Sequence, residues 1–247
     1  MDMLLATAAD PTTQLILLVI FGAVIVRAAF GFGDVLVSVP ILTLFVGPRL
    51  VVPLMGLVGA TNALLLLLAE RRSVQWRPVR FLLMASVIGV PIGVAMLTWL
   101  AEDTINFGLG VMLIGFCAWS LSGRRSVALK APGWAWPFGF CAGVMGGAVT
   151  ATGPPIVVYS TTQDWEPDQR RATMQGFFLP NGVFILISHG LAGLWTPEVL
   201  RIFVLSIPVC LLALPVGGWI TGKLSRPRFE FLTFIVLLGT GLLLVLR

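Results

Sequence analysis

Arg27 and Asp34 are the charged residues of an otherwise apolar run, Leu15 to Phe45, and they flank the motif Gly31-Phe-Gly33. An ionisable group in a membrane-length apolar run is costly to bury and is a functional candidate by default. Arg27 lies about one helical turn before the glycines. It can face a small anion, or it can pair with Asp34 and pin the chain, and the two roles are compatible. Asp34 is also a candidate proton carrier. A second broken run, Gly143 to Pro155 (GVMGGAVTATGPP), lies in the other half of the chain. Glycine-interrupted apolar segments at matching places in two membrane repeats point to a transporter's binding site. Broken backbone inside lipid persists only where protein or a cavity satisfies its polar groups.

A short helix is expected to follow each break. Asp34 is the expected N-cap of the first, and Gly153-Pro154 suits the start of the second. Free amides and the helix dipole make such an N-terminus an anion site. If the two broken segments enter from opposite faces, both N-termini meet near the midplane. The candidate substrate-binding set is therefore Arg27, Gly31, Gly33, Asp34, Asn62, Gly147, Thr150, Thr152, Gly153, Pro154, Gln175 and Asn181. Asn62 and Asn181 fall near the middle of the helix after each break. A buried amide needs partners, either a substrate oxygen or the freed hairpin backbone. Thr150, Thr152, Gln175 and Tyr159 make the second half the more polar one. The competing structural reading is that the glycines merely allow close packing. His189, the lone histidine, reads as a packing residue towards the outer end of its helix.

The elements that must position these residues follow from composition. The chain has 247 residues, 57% hydrophobic and only 11% charged, against roughly 25% charged in a soluble domain. It reads as an all-α polytopic membrane protein forming a single membrane domain over residues 1–247. The net charge of +5 reflects basic loops rather than a nucleic-acid surface. Cys117, Cys141 and Cys210 have no metal-ligand spacing, so neither a metal nor a cofactor is expected. The N-terminus lacks a basic n-region and is expected to be retained.

Six apolar runs have the length of a crossing: Val51 to Ala69, Val79 to Leu100, Thr104 to Leu121, Ala172 to Leu194, Val199 to Thr221 and Phe229 to Leu246. The run Leu15 to Phe45 would span about 46 Å as one helix, too long for one ordinary crossing, and reads as two short helices. The run Trp134 to Thr162 is expected to divide around Gly146 to Gly153. The halves also match in order. A shift of 115 puts Gly31 on Gly146 and Pro40 on Pro155, and 119 puts Met55 on Met174 and Asn62 on Asn181. A shift of 124 puts Arg77 on Arg201, Pro91 on Pro215, Gly93 on Gly217 and Gly115 on Gly239. Arg27 falls on Ala142, so symmetry does not require it. Repeat 1 is expected over about 13–122 and repeat 2 over about 133–247, joined by a cytoplasmic loop at 123–132.

Loop charge favours re-entrant hairpins over crossing ones. With hairpins, 12 basic residues share one side: Arg71, Arg72, Arg77, Arg80, Arg124, Arg125, Lys130, Arg170, Arg171, Lys223, Arg226 and Arg228. Only Arg49, Arg201 and Arg247 face the other side, whereas crossing segments would divide the charges 9 to 6. The positive-inside rule makes the rich side cytoplasmic and both termini external. Three full crossings per repeat then insert the repeats in opposite orientations. Trp76, Trp99, Trp134, Trp136, Trp165 and Trp195 sit where an interfacial aromatic belt would be. Gly89/Gly93, Gly143/Gly147 and Gly218/Gly222 have the spacing of close helix packing.

Gly31-Phe-Gly33 with Leu36-Val-Ser-Val-Pro40, the mid-helix Asn62, and Gly143-Val-Met-Gly-Gly147 with Gly153-Pro-Pro155 resemble the TauE/SafE family of sulfite exporters. The resemblance covers nearly the whole chain. Its Gly-Phe-Gly-Asp departs from the more glycine-rich first break common in the family. The resemblance implies a bacterial inner-membrane transporter of sulfite, sulfoacetate or related organosulfonates. The expected function is secondary transport of a small anion by alternating access, with the lipid bilayer as surroundings. A proton or another ion is a candidate coupling partner. The competing classes are an anion channel using the same helix ends, a non-transporting scaffold, and an intramembrane enzyme, for which no nucleophile–base pair is found.

Overall fold

The computed structural model describes residues 7–30, 33–67, 74–122, 129, 131–223 and 226–246. The secondary structure of these residues is helical. Gly31 lies outside them, as do Arg71, Arg72, Arg124, Arg125, Lys130 and Arg247.

In chain order the helices are α1 (Pro11–Phe30), α2 (Asp34–Thr43), α3 (Pro48–Leu67), α4 (Trp76–Trp99) and α5 (Glu102–Leu121), then α6 (Ala135–Val149), α7 (Gly153–Thr161), α8 (Pro167–Leu191), α9 (Pro197–Lys223) and α10 (Arg226–Leu246). Their starts are written in the sequence. The Asp10 carboxylate accepts the Thr13 amide at 2.9 Å, just ahead of Pro11. The Gln169 side chain accepts the Glu166 amide at 3.3 Å, with Pro167 between them. The Asp10 cap corrects one expectation: the first broken arm is not short. It starts at Pro11 rather than Leu15 and runs for 20 residues.

Among the described residues, four helices are long and apolar enough to cross a membrane by length and composition: Pro11–Ala28 within α1, Trp76–Trp99, Glu102–Leu121 and Pro197–Trp219. The other three expected spans fall on α3, α8 and α10. Helix α8 is the most polar of them, because it buries Gln175, Asn181 and His189. Lipid is the natural surroundings of the outer surface. Met84, Val87, Ile88 and Ile92 of α4, Val204, Leu211 and Leu212 of α9, and Ile235, Leu242 and Leu243 of α10 all point outwards. Water would not tolerate apolar stripes of that extent. Trp76, Trp99, Trp134, Trp136 and Trp195 are exposed at or near helix ends.

Packing pairs the helices across the chain. The α4 helix lies against α6 and α9 against α1; α3 meets α8 and α5 meets α10. Glycine sets the closeness of the first pair. A Cβ on Gly143 would lie 2.7 Å from the Ser86 backbone, and one on Gly147 would strike the Val90 carbonyl. Gly89 and Gly93 make the reciprocal approach, so these two small-residue motifs face each other inside one chain. Gly218 does not join in: a Cβ there would meet open space, and it is Gly217 that touches α1.

Candidate functional site

Each break lies between two helices, and the described residues there, Gly33 at the first and Thr150 to Thr152 at the second, are not helical. At the first, Gly33 adopts φ 107°, a left-handed conformation suited to glycine, and it rather than Asp34 is the N-cap of α2. Asp34 becomes the first helical residue. Its carboxylate lies where the positive end of the helix dipole favours negative charge. Arg27, in the last turn of α1, donates from Nη1 to both Asp34 oxygens at 2.9 Å. Asn62 of α3 donates from Nδ2 to Asp34 Oδ2 at 3.2 Å. This amide reaches the carboxylate rather than the hairpin backbone. Arg27 is 5% exposed and Asp34 1%, so the pair is buried. Arg27 uses only Nη1, and its Nε and Nη2 are buried without a protein partner.

The second break falls inside the expected stretch Gly146 to Gly153, at its later end. Gly143, Gly146 and Gly147 are all inside α6, which continues to Val149. The chain turns at Thr150, with φ 57° and an amide bonded to the Gly146 carbonyl at 2.9 Å. That left-handed cap is usually glycine's place. For a β-branched residue it is a strained conformation, which persists only when the surroundings enforce it. The Thr150 hydroxyl supplies one restraint by donating to the Val52 carbonyl of α3 at 3.0 Å. Thr150→Val keeps the strain and loses this bond, so it is expected to lower stability by about 1–2 kcal/mol. Thr150→Gly loses the bond but relieves the strain. Its melting temperature in detergent is expected to lie between those of Thr150→Val and the wild type.

Beyond the turn, Thr152 is the N-cap of α7 and Gly153 its first residue. Pro154 and Pro155 carry no amide hydrogen, so this N-terminus offers fewer donors than the first. Behind it, His189 approaches the Gly147 carbonyl with Nε2 at 3.0 Å. A carbonyl only accepts, so Nε2 carries the hydrogen and satisfies one of the free carbonyls at the end of α6. His189 therefore secures the second break, which the sequence alone does not reveal.

Between the two breaks is a cavity of about 60 Å³, walled also by α3 and α8. A single water needs roughly 10–15 Å³, so the space admits several waters or a small oxyanion. Of the expected residues, Arg27, Gly33, Asp34, Thr150, Thr152, Gly153 and Asn181 line it. Asn181 is 1% exposed, and neither its amide nitrogen nor its oxygen has a protein partner. Gly31 is outside the described residues, and the other expected residues sit outside the lining. Asn62 stands behind Asp34, Pro154 is buried in α7, Gln175 is buried on α8, and Gly147 packs on α4. Sequence reasoning missed Gly56, Gly59 and Ala60 of α3, and Phe178, Gly182 and Ile185 of α8. The signal was present. The first three recur at the i, i+3, i+4 spacing of one helical face, and the second three share a face with Asn181.

A family model described as "Sulfite exporter TauE/SafE" matches residues 16–244. The chain belongs to the sulfite exporter TauE/SafE family. No curated protein and no solved structure matches it. As a TauE/SafE protein it is a multi-pass membrane transporter of the anion-exporter type. In this TauE/SafE chain the matched region contains both breaks, the cavity between them and every residue that lines it.

Proposed function

We propose that the protein is a secondary transporter that exports a small oxyanion of sulfite size by alternating access. The anion lies in the cavity between the breaks. Arg27 holds it through Nε and Nη2, and Asn181 through its amide, with the N-termini of α2 and α7 adding dipole attraction. One observation carries this reading: the buried, unpartnered polar atoms of Arg27 and Asn181 belong to residues lining a single cavity. Buried polar groups without partners are expensive, and an oxyanion would satisfy them.

The proposal includes inverted repeats over about 13–122 and 133–247. The packing supports them, since exchanging the two halves converts α4–α6 into α9–α1 and returns α3–α8 and α5–α10 to themselves. Gly93 and Gly217, matched in sequence, make the corresponding close contacts, on α6 and α1 respectively. Re-entrant breaks place the loops of Arg77, Arg80, Arg170 and Arg171 in the cytoplasm and both termini in the periplasm of a bacterial inner membrane. An inside-negative potential then favours anion efflux, with a proton or another ion as the coupling partner.

The test is saturable sulfite counterflow in proteoliposomes, paired with thermal stabilisation of the purified protein by sulfite. Both are expected. Failure of sulfite and other small oxyanions in both assays would overturn the reading.

A further inference from the structure

We infer that the species bound is a singly protonated anion, an oxyanion that still carries one O–H, rather than its dianion. The inference rests on the anion-site reading above and specifies the charge state of that anion.

The first argument is charge. Arg27 and Asp34 cancel each other, bonded at 2.9 Å within the site. What remains is at most roughly half a positive charge from each of the two helix N-termini, offset in part by the C-termini of α1 and α6 at the same breaks. The site therefore offers no more than one positive charge. A dianion would leave a second negative charge uncompensated in a buried space, where desolvation makes it costly.

The second argument is hydrogen bonding. The free atoms of Arg27, Nε and Nη2, are donors only. Asn181 differs, because both its donor and its acceptor are buried and unpartnered. Whichever way the amide is turned, its oxygen needs a donated hydrogen. Of the lining residues, Gly56, Gly59, Ala60, Gly182 and Ile185 offer no side-chain donor and the Thr150 hydroxyl is spent on the Val52 carbonyl, so beside the Thr152 hydroxyl the ligand itself is the source. A dianion has no hydrogen to give. A protonated oxyanion presents its ionised oxygens to Arg27 and its O–H to Asn181.

Other titratable groups lie close: Asp34 on α2, Arg27 on α1, His189 on α8, and Cys210 on α9, which feels the charges of Asp34 and Arg27. The experiment therefore separates titration of the ligand from titration of the protein. Binding of sulfite and of selenite to the purified full chain is measured anaerobically over a pH series. Selenite holds its second proton to a higher pH than sulfite does. Each affinity is expected to fall about tenfold per pH unit above that ligand's own second ionisation. The midpoint is expected to move upwards from sulfite to selenite. Nitrate, a monoanion with no hydrogen to donate, is expected to bind roughly tenfold more weakly than hydrogen sulfite. Asn181→Leu is expected to remove that difference. Should this variant fail to fold, the wild-type series still decides. Affinity that stays flat or rises through the second ionisation, or a midpoint shared by both ions, overturns the inference while leaving the anion site standing. Absence of binding by all three ions overturns the site itself.

Discussion

Arg27→Ala is expected to abolish anion transport in proteoliposomes while the protein still inserts in the membrane. Two losses coincide in this variant. The cavity loses its cation, and Asp34, 1% exposed, keeps among the described residues only the Asn62 amide as a side-chain partner. Orphaning one member of a buried ion pair costs about 3–5 kcal/mol, so a lower Tm is expected as well. Arg27→Ala combined with Asp34→Asn separates the two effects. The orphaned charge is gone, so most of the lost Tm should return, yet transport should not. Arg27→Lys makes a finer cut. An ammonium can still meet the Asp34 carboxylate as a point charge, but it lacks the second edge that Nε and Nη2 provide. Near-normal Tm with transport reduced roughly tenfold or more is expected. Wild-type transport rates in Arg27→Ala, or in the double variant, would remove Arg27 from the mechanism.

The first break was legible because its signals are local. Two charges in an apolar run, with two glycines between them, leave few structural options; what moved was the cap, from Asp34 to Gly33, and the start of the first arm, from Leu15 to Pro11. The second break falls within the expected Gly146 to Gly153, but its turn is not on a glycine, for a physical reason. Glycine serves two purposes in a membrane helix, turning the backbone and letting helices touch. Gly143 and Gly147 serve the second purpose, and a sequence pattern cannot distinguish the two. The actual turn falls on Thr150, a residue type that propensity argues against. It is held there by the Val52 carbonyl of α3, nearly a hundred positions away along the chain. Asn62 and Asn181 make the same point. They match in sequence, yet one braces a carboxylate and the other lines the cavity, because Asp34 has no counterpart across the repeat. His189 read as packing, since nothing in the sequence places it beside Gly147. Spacing along one helix was legible, whereas contacts between distant helices were not.

Gly93→Ala is expected to give the largest stability loss of any single methyl added to this chain. The new Cβ would strike the Val144 carbonyl and lie 2.7 Å from the Ala148 nitrogen, both in the backbone of α6. A side chain can rotate away, but a helix backbone cannot, so α4 and α6 must separate. Overpacking of this kind costs about 1–3 kcal/mol and occasionally more. The backbone contact places this site at the upper end. Gly217→Ala, the sequence-matched change, would bring its Cβ to 2.6 Å from the Ala28 Cβ and 3.1 Å from the Ile25 Cα of α1. The displaced arms are those that carry Thr150 and Arg27 into the cavity, so transport is expected to fall along with Tm in both variants. The other matched glycines supply the control. Gly115 and Gly239 have open space where a Cβ would go. Alanine at either position is expected to be neutral, or to stabilise by about 0.5–1 kcal/mol through helix propensity. If Gly93→Ala melted within about 2 °C of the Gly239→Ala protein, the close approach of α4 and α6 would be wrong. The positioning of the second break would then lose its support, because α6 places Thr150 only if its own axis is fixed against α4.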